Sequence, residues 1–378
     1  MSISRLTVIG LGLIGGSVAM AARRALPGIH IRAVDTDESA LAHARAVGIA
    51  DETLSVVEAS AGDWFDDGQG DLIVLGTPPA ETARWLSILV ESGYSGIVTD
   101  VSSTKRSVVE AARSAHDAGA RYRFVGGHPM AGSERSGVEA ASATLFDGAY
   151  YVLTPTDATD MDAYQAVHEF VAALGARVLS IDARLHDEAV AVVSHVPHVT
   201  AAALVDLAVT RAEEMGADLL RLGAGGFKDM TRIAAGDPEL WTGICLGNTE
   251  ALSRGLRDLG GVLERFATAL DEDDDHAVRT WLTGPAAVRS SLPARWVPAT
   301  ATLRELRVSV SDCPGVVGIV ATAVSRAGCN IEDIEIDHQS EDSAVLRLVL
   351  TDEGDSDALV ADLRERGFDP QVASLEEV

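Results

Sequence analysis

The chain has 378 residues, 47% of them apolar and 23% charged, which is enough for two or three domains that each bury a core. Its formal net charge of −27 argues against a nucleic-acid partner, because such partners are bound through clustered Lys and Arg. No stretch approaches 18 uncharged apolar residues, and the three cysteines show neither metal-ligand nor disulfide-framework spacing. We therefore expect a cytoplasmic protein without a membrane span.

Residues 1–182 alternate short β-branched strands with Ala-rich segments of helical length. This βαβ pattern is typical of a parallel sheet covered by helices on both faces. We therefore predict an α/β domain with a Rossmann-type, doubly wound parallel sheet. Its predicted strands are 6–9, 31–34, 72–75, 96–99, 150–153 and 177–181.

A glycine-rich turn, Gly10-Leu-Gly12-Leu13-Ile14-Gly15, follows the first predicted strand and opens a helix. In such a turn the first glycine permits the tight bend, the second lets backbone approach a pyrophosphate, and the third lets helix and strand pack closely. Asp35 ends the second strand, where a carboxylate binds a ribose diol and repels a 2′-phosphate. The pattern predicts NAD as cofactor. The predicted cofactor contacts are Gly10, Gly12, Leu13, Ile14, Gly15 and Asp35, with Thr77, Pro78 and Asp100 beside the nicotinamide.

From residue 183 to 292 helical periodicity replaces the β-branched runs, and we predict an all-helical domain. One apolar helix is expected over 187–212, interrupted at Pro197, and another over 248–270. Helices this apolar need a partner surface, so the domain is expected to form a homodimer. Residues 293–302 contain two prolines without periodicity and are predicted to be a linker.

Residues 303–378 predict a second α/β domain. Strands are expected over 303–311, 331–337, 344–351 and 370–373, and helices over 315–327 and 356–366. The order βαββαβ is that of the split, ferredoxin-like arrangement.

Four segments carry most of the candidate chemistry. They are Asp100-Val-Ser-Ser103-Thr-Lys105, Gly126-Gly-His128-Pro-Met-Ala-Gly-Ser-Glu134, Val193-Ser-His195-Val-Pro-His198 and Gly225-Gly-Phe-Lys228-Asp-Met-Thr-Arg232. In this order and spacing, and with the later Asp237-Pro-Glu-Leu-Trp241, they resemble the prephenate and arogenate dehydrogenase family over residues 1 to about 290. The resemblance implies NAD-dependent oxidative decarboxylation of prephenate to 4-hydroxyphenylpyruvate, CO2 and NADH, a step of tyrosine biosynthesis.

This reaction needs a base at the ring hydroxyl and cationic groups for two carboxylates, and aromatisation of the ring drives the loss of CO2 without a metal. His128 is the expected base, by its residue type and by its place in the family motif. Ser103, in the resembling loop, is expected to orient it by a hydrogen bond. His195 and His198 are three residues apart, but no third ligand accompanies them, so no metal site is predicted.

Four further residues are expected to contact the substrate. Arg232 is predicted to bind the ring carboxylate through two parallel hydrogen bonds, although a helix-surface ion pair with Asp229 is an alternative. Lys228, one of only two lysines in the chain, would help to neutralise the substrate's charge. By resemblance, His198 contacts the side-chain end of the substrate and Trp241 lies near the pocket; a plain core role for Trp241 stays open.

The motifs Asp312-Cys-Pro-Gly315 and Gly328-Cys-Asn330-Ile331 resemble the ACT domain, a small amino-acid-sensing module. The resemblance implies that Gly315, Asn330 and Ile331 bind an effector, and we expect feedback regulation by tyrosine. A domain that serves oligomerisation only is the alternative.

Three other functions stay open at this point. An arogenate (cyclohexadienyl) dehydrogenase would perform the same chemistry and release tyrosine directly. A β-hydroxyacid dehydrogenase shares the architecture and would need Lys228 as its catalytic lysine. A non-catalytic NAD and amino-acid sensor would keep the cofactor site and the C-terminal domain without turnover.

Overall fold

A computed structural model describes residues 3–60, 71–132, 135–216, 219–291, 304–311, 314–340, 343–350 and 354–374. The chain divides into two units. The first comprises Met1–Asp187, Ala235–Gly247 and Thr302–Val378, and the second comprises Glu188–Ala234 and Asn248–Ala301. The first unit thus extends five residues beyond the predicted domain boundary at 182/183 and includes the C-terminal residues. The predicted linker 293–302 lies outside the described residues.

The strands are β1 (Arg5–Ile9), β2 (His30–Asp35), β3 (Glu52–Ser55), β4 (Asp71–Leu75), β5 (Ile97–Asp100), β6 (Arg123–Pro129), β7 (Tyr150–Thr154), β8 (Arg177–Ser180), β9 (Arg304–Ser311), β10 (Ile331–Ser340), β11 (Ser343–Leu350) and β12 (Asp369–Ser374). The α-helices are α1 (Leu13–Ala25), α2 (Glu38–Ala46), α3 (Val56–Ser60), α4 (Pro79–Glu91), α5 (Arg106–Asp117), α6 (Met161–Ala173), α7 (Ala183–Val190), α8 (Val196–Met215), α9 (Gly225–Thr231), α10 (Pro238–Gly247), α11 (Thr249–Asp271), α12 (Asp275–Ser291), α13 (Val316–Arg326) and α14 (Ser356–Glu365).

The large sheet of the first unit has the order β3-β2-β1-β4-β5-β6-β7-β8. Its strands run parallel from β3 to β6, and the order reverses between β1 and β4. The runs Leu6–Ile9 and Leu72–Leu75 are buried because helices cover both faces of a parallel sheet. Ligands of such sheets bind at the carboxyl ends of the strands, beside the point of reversal.

The sheet differs from the prediction in two respects. Strands β3 and β6 were not predicted; β6 carries Gly126, Gly127 and Pro129, which break the β-branched pattern. Strand β7 runs antiparallel to β6, whereas we expected a parallel sheet throughout. A parallel neighbour needs a crossover, usually through a helix, and the described part of the connection holds only a short 3-10 turn at Val138–Ala140.

The second unit is helical, as predicted. Helices α7 and α8 are separated by a π-helical turn at Ala191–His195, immediately before Pro197. Proline has no N–H to donate to the preceding turn, which accounts for the interruption expected at this place. Helix α11 covers the second predicted helix and ends at Asp271, where an acidic turn follows.

Large apolar side chains lie on the surface of the second unit. Those more than half exposed are Val192, Val193, Leu207, Met215, Leu222, Met230, Leu263, Leu270, Leu282 and Val288. By length and composition alone the helix Ala183–Met215 is long and apolar enough to cross a membrane, with a third of its most apolar window buried inside the chain. The sequence predicted an apolar helix over 187–212, but not one that is long and apolar enough to meet this criterion.

The C-terminal strands form an antiparallel sheet in the order β10-β11-β9-β12, with α13 and α14 between them in sequence. Its elements lie where the βαββαβ order was predicted. Strand β10 and helix α13 pack against β8 and α6, so the apolar residues of this sheet continue the core of the large one.

Candidate active site

The glycine turn lies between β1 and α1, at the point where the strand order reverses. Gly10 has a positive φ of 97°, and a Cβ there would lie 2.6 Å from the carbonyl oxygen of Gly76. A side chain at Gly15 would overlap the carbonyl oxygen of Gly10, whereas Gly12 faces open space. The first and third glycines are therefore required by packing, and the second leaves room for a ligand.

Helix α1 begins at Leu13 without a side-chain cap on its first turn. Its first backbone N–H groups, with the helix dipole, favour an anionic group such as a pyrophosphate. Asp35 ends β2 as predicted, and its carboxylate accepts hydrogen bonds from the N–H groups of Leu11 (2.6 Å) and Asp37 (2.8 Å). These residues fit NAD: an open cradle at Gly12, an uncapped helix start and a half-buried carboxylate beside the turn.

Thr77 and Pro78 follow β4, next to the glycine turn. The Thr77 hydroxyl lies 2.9 Å from the hydroxyl of Thr82, which fixes the start of α4. A Cβ at Gly10 would also lie 3.1 Å from Cγ2 of Thr77. Their contact with a nicotinamide stays a prediction.

Asp100, a predicted cofactor contact, lies at the end of β5. The side chain is fully buried, and its carboxylate accepts hydrogen bonds from the N–H groups of Gly127 (3.0 Å) and Ser102 (3.0 Å). It also forms an ion pair with the ammonium of Lys105. Both side-chain oxygens thus have partners inside the protein, and a contact of Asp100 with the cofactor stays a prediction.

Lys105 is the second member of this ion pair and is also fully buried. Its ammonium donates to the Asp100 carboxylate and to the carbonyl oxygen of Gly127. Burial lowers the pKa of Lys105, against the opposing effect of the Asp100 and Asp187 carboxylates. Lys105 therefore joins β5 and the start of α5 to β6, one residue before His128.

His128 lies half-buried near the carboxyl end of β6, where it pairs with Val152 of β7. Its Nδ1 lies 2.8 Å from Nε2 of His186, and Nδ1 of His186 lies 2.8 Å from a carboxylate oxygen of Asp187. His186 and Asp187 are almost fully buried. The three side chains form a continuous hydrogen-bonded row, the His128–His186–Asp187 chain.

Asp187 also holds the start of helix α5. Its two oxygens accept hydrogen bonds from the N–H groups of Lys105 (2.7 Å) and Arg106 (3.0 Å). Burial raises the pKa of Asp187, but the hydrogen bonds from His186, Lys105 and Arg106 outweigh burial and leave it below its ordinary value. Asp187 is therefore an anion at neutral pH.

Sequence reasoning did not single out His186. The only signal was a histidine next to an acidic residue at the start of an apolar helix, and that pattern is common on helix surfaces. Ser103, the residue expected to orient His128, is half-buried between Asp100 and Lys105 in the same loop. Its hydrogen bond to His128 stays a prediction.

The predicted substrate contacts lie on other helices. Trp241 is half-buried in α10 of the first unit. In the second unit, His198 is buried in α8, and burial lowers its pKa, which leaves the imidazole neutral. Lys228 in α9 and Arg232 directly after it are exposed. His195 is buried, with its ring nitrogen 3.4 Å from the amide nitrogen of Asn248, as expected of a structural histidine.

The three predicted effector contacts lie against protein. The N–H of Gly315 donates to the carbonyl oxygen of Thr159 (2.7 Å), and a Cβ at Gly315 would overlap the backbone of Asp157. Asn330 and Ile331 are buried. In this conformation Gly315 serves the packing of the C-terminal sheet on the loop after β7. Among the described residues no group of three or more His, Cys, Asp or Glu could hold a metal ion.

The sheet order, the glycine turn and Asp35 define a dinucleotide-binding α/β domain, here followed by a helical unit. Residues 18–180 match the model of the prephenate dehydrogenase nucleotide-binding domain, and residues 182–283 match the prephenate dehydrogenase dimerization domain. The chain belongs to the prephenate dehydrogenase family. The glycine turn precedes the first matched stretch, so its assignment rests on geometry.

The known proteins similar to this chain include prephenate and arogenate dehydrogenases. A prephenate dehydrogenase of Bacillus subtilis is 33% identical over 352 residues, covering 92% of each chain. A crystal structure of prephenate dehydrogenase from A. aeolicus, in complex with hydroxyphenyl propionate and NAD+, is 30% identical with a TM-score of 0.69, covering 77% of this chain and 98% of that one. A crystal structure of Synechocystis arogenate dehydrogenase is 29% identical with a TM-score of 0.63. The match covers 76% of this chain and 99% of that one.

Proposed function

We propose that the chain is an NAD-dependent prephenate dehydrogenase. The observation that carries the proposal is the position of His128 at the carboxyl end of β6, in the same parallel run of strands as the glycine turn after β1. Three strand spacings of about 4.8 Å separate β1 from β6, so the two sites lie along one sheet edge. A cofactor bound at the glycine turn would extend along this edge towards His128.

In the proposed reaction the ring carbinol carbon loses a hydride, which NAD accepts when it is bound. His128 takes the proton of the ring hydroxyl as a carbonyl begins to form. The bond between the ring and its carboxylate then breaks, its electron pair enters the ring, and CO2 leaves as the ring becomes aromatic. The electron pair reaches the former carbonyl oxygen, which takes its proton back from His128 as the phenol forms. The overall change is one hydride transferred to NAD and one CO2 released.

The remaining roles are proposed from residue chemistry. Arg232 binds the ring carboxylate, since a guanidinium offers two parallel donors to it. Lys228 adds positive charge to a chain whose net charge of −27 repels anions. His198, neutral because burial lowers its pKa, offers hydrogen bonds to the keto-acid side chain. Ser103 orients His128, and Trp241 contributes apolar surface.

Arogenate is the second candidate substrate, because the chain is similar to the Synechocystis arogenate dehydrogenase over most of that protein. The two substrates differ in a keto group and an ammonium group on the side chain. NADH formation at 340 nm with each substrate, and with NAD or NADP, separates the candidates. We expect turnover of prephenate with NAD. Turnover of arogenate alone would make the chain an arogenate dehydrogenase, and no turnover of either would refute the enzyme assignment.

We propose a homodimer built on the second unit. The match to a dimerization domain and the exposed apolar side chains of its helices support it. The same dimer accounts for the apolar character of helix Ala183–Met215 without a membrane, so we keep the cytoplasm as the proposed location. Sedimentation of the purified chain should give twice the mass of 39.5 kDa; a monomer at micromolar concentration would contradict it.

We propose that the C-terminal sheet is an ACT-type regulatory domain that senses tyrosine. Its antiparallel order and βαββαβ sequence support the fold. The match to the Bacillus subtilis protein spans 92% of this chain, so it extends well beyond residue 283, where the family match ends. Because the chain itself covers Gly315, an effector at that loop would have to displace Asp157 and Thr159. Titrating tyrosine into the prephenate assay tests this, and an unchanged rate would contradict it.

A further inference from the structure

The hydrogen-bond directions in the His128–His186–Asp187 chain can be deduced from its anionic end. An ionised carboxylate only accepts, so Nδ1 of His186 must carry the hydrogen that it donates to Asp187. In a neutral imidazole the other nitrogen then has no hydrogen, and Nε2 of His186 can only accept. Nδ1 of His128 is therefore the donor of the 2.8 Å bond between the rings. Nε2 of His128 then carries no hydrogen, and its lone pair is the one that can take up a proton.

We infer that His186 is a positioning residue that holds His128 in the Nδ1–H tautomer, so that Nε2 of His128 is the basic nitrogen of the reaction. The inference rests on the proposed role of His128 as base. It adds a residue that neither the family resemblance nor the sequence pattern assigned. The edge-to-face arrangement of the two rings, with centroids 5.0 Å apart, fixes the orientation of His128 as well as its tautomer.

The same chain stabilises the product of proton transfer. When Nε2 of His128 takes the hydroxyl proton, the ring becomes a cation whose Nδ1–H still donates to His186. The negative charge of Asp187 lies one imidazole further along and favours this cation. No proton needs to move beyond His128, because Nδ1 of His186 already donates its hydrogen to the Asp187 carboxylate.

The other charged and titratable groups around His128 in the first unit do not replace this effect. Lys105, directly before α5, and Asp100 of β5 form a fully buried ion pair, and their opposite charges largely cancel. Tyr151 of β7 is buried, and burial raises the pKa of its phenol above the working range. His186 and Asp187 of α7 are thus the pair whose removal should change the protonation of His128.

Two substitutions and a control test the inference in the full-length chain. His186→Phe keeps a ring but removes the acceptor, and His186→Gln keeps an oxygen for His128 and an N–H group for Asp187. His168→Phe is the matched control, since His168 is an equally buried histidine of the first unit in α6. We expect His186→Phe to lower kcat about 10- to 100-fold, with Gln partly restoring it.

The pH profile distinguishes positioning from a structural effect. Loss of the acceptor for the Nδ1–H of the His128 cation should move the acid limb of kcat for His186→Phe to lower pH, while His168→Phe leaves it in place. An acid limb of His186→Phe that coincides with wild type would overturn the inference, even if kcat falls.

A second readout does not depend on turnover. Nitrogen-15 NMR of histidine-labelled wild-type protein should show His128 protonated at Nδ1, and His186→Phe should lose this preference. An Nε2–H tautomer in wild type would overturn the inference. If wild type turns over neither prephenate nor arogenate, the proposed function fails, while the NMR result still decides whether His186 sets the tautomer.

Discussion

The ammonium of Lys105 and the carboxylate of Asp100 form an ion pair with no exposure to solvent. Each partner also bonds to Gly127, Lys105 at its carbonyl oxygen and Asp100 at its N–H. The pair therefore holds the two peptide groups that flank the Cα of Gly127, the residue before His128. His128, the proposed base, is thus positioned through its backbone by this ion pair and through its ring by His186.

Lys105→Met should destabilise the chain strongly, because it leaves the Asp100 carboxylate buried without a counter-charge. The expected loss is about 3–5 kcal/mol in the free energy of unfolding. Lys228→Met is the matched control: it removes the only other lysine, which is exposed, and should change stability by less than about 0.5 kcal/mol. Urea unfolding of both variants measures the difference. Equal stability of the two variants would contradict the buried ion pair.

Asp187 makes a pH-dependent contribution to stability. Its pKa in the folded chain lies below the ordinary value of 3.8, so its stabilisation is fully present above that value and is lost as the pH falls through the folded pKa. The difference in the free energy of unfolding between wild type and Asp187→Asn should therefore become smaller as the pH is lowered from 7 towards 3. Urea midpoints at several pH values provide the test. A difference that stays constant with pH would show that Asp187 is not an anion in the folded chain.

The predicted NAD site could be recognised from the sequence because each of its features lies within a short stretch of chain. Gly10 and Gly15 are demanded by backbone contacts within one turn, and Asp35 ends a strand whose apolar run is easy to recognise. The C-terminal strands and helices were predictable for the same reason. Each of these features can be read within about twenty residues.

The site beside His128 was only partly predictable, because its contacts join residues far apart in sequence. In sequence, His186 lies 58 residues from His128. Asp187 lies 82 residues from Lys105, whose backbone N–H donates a hydrogen bond to its carboxylate. Strand β6 escaped prediction since Gly127 is needed for close packing: a Cβ there would lie 2.7 Å from the Asp100 carbonyl oxygen. The ion pair of Asp100 could not be predicted, because a strand end does not reveal that its side chain points into protein.

Asp35→Asn should weaken NAD binding and reduce discrimination against NADP. The carboxylate can accept two ribose hydroxyls and repels a 2′-phosphate, and loss of a charged hydrogen bond corresponds to about a 10- to 100-fold rise in KM for NAD. Glu38→Gln makes the same charge change on an exposed residue at the start of α2 and serves as control. Steady-state KM values for both cofactors provide the measurement. If the ratio of the KM values for NAD and NADP is the same in Asp35→Asn as in wild type, the proposed ribose contact is contradicted.

Arg232→Lys should raise KM for prephenate about 10- to 100-fold, since a lysine keeps the charge but cannot form two parallel hydrogen bonds with a carboxylate. Arg221→Lys is the control in the same unit, on an exposed residue in a 3-10 turn. KM for NAD should not change in either variant. If Arg232→Lys behaves like its control, the guanidinium binds no substrate carboxylate and forms only a surface ion pair.

Gly318→Ala tests the packing of the C-terminal sheet on the loop after β7. Gly318 lies in α13, where alanine is favoured over glycine by about 1 kcal/mol. Its Cβ, however, would lie 2.6 Å from the carbonyl oxygen of Thr156, an overlap that costs about 1–3 kcal/mol. The substitution thus stabilises the helix alone while it disfavours contact with Thr156.

We expect Gly318→Ala to increase amide hydrogen exchange at residues 154–160, with exchange in β1 and β4 unchanged. Gly260→Ala in α11 is the matched control, because a Cβ there meets nothing within 4 Å and gains only the helical preference. If tyrosine acts at the Gly315 loop by displacing Asp157 and Thr159, the loosened variant should also respond at lower tyrosine concentration. Faster exchange with an unchanged tyrosine response would place the effector away from this loop, because a ligand that competes with the contact must bind more tightly once the contact is weakened.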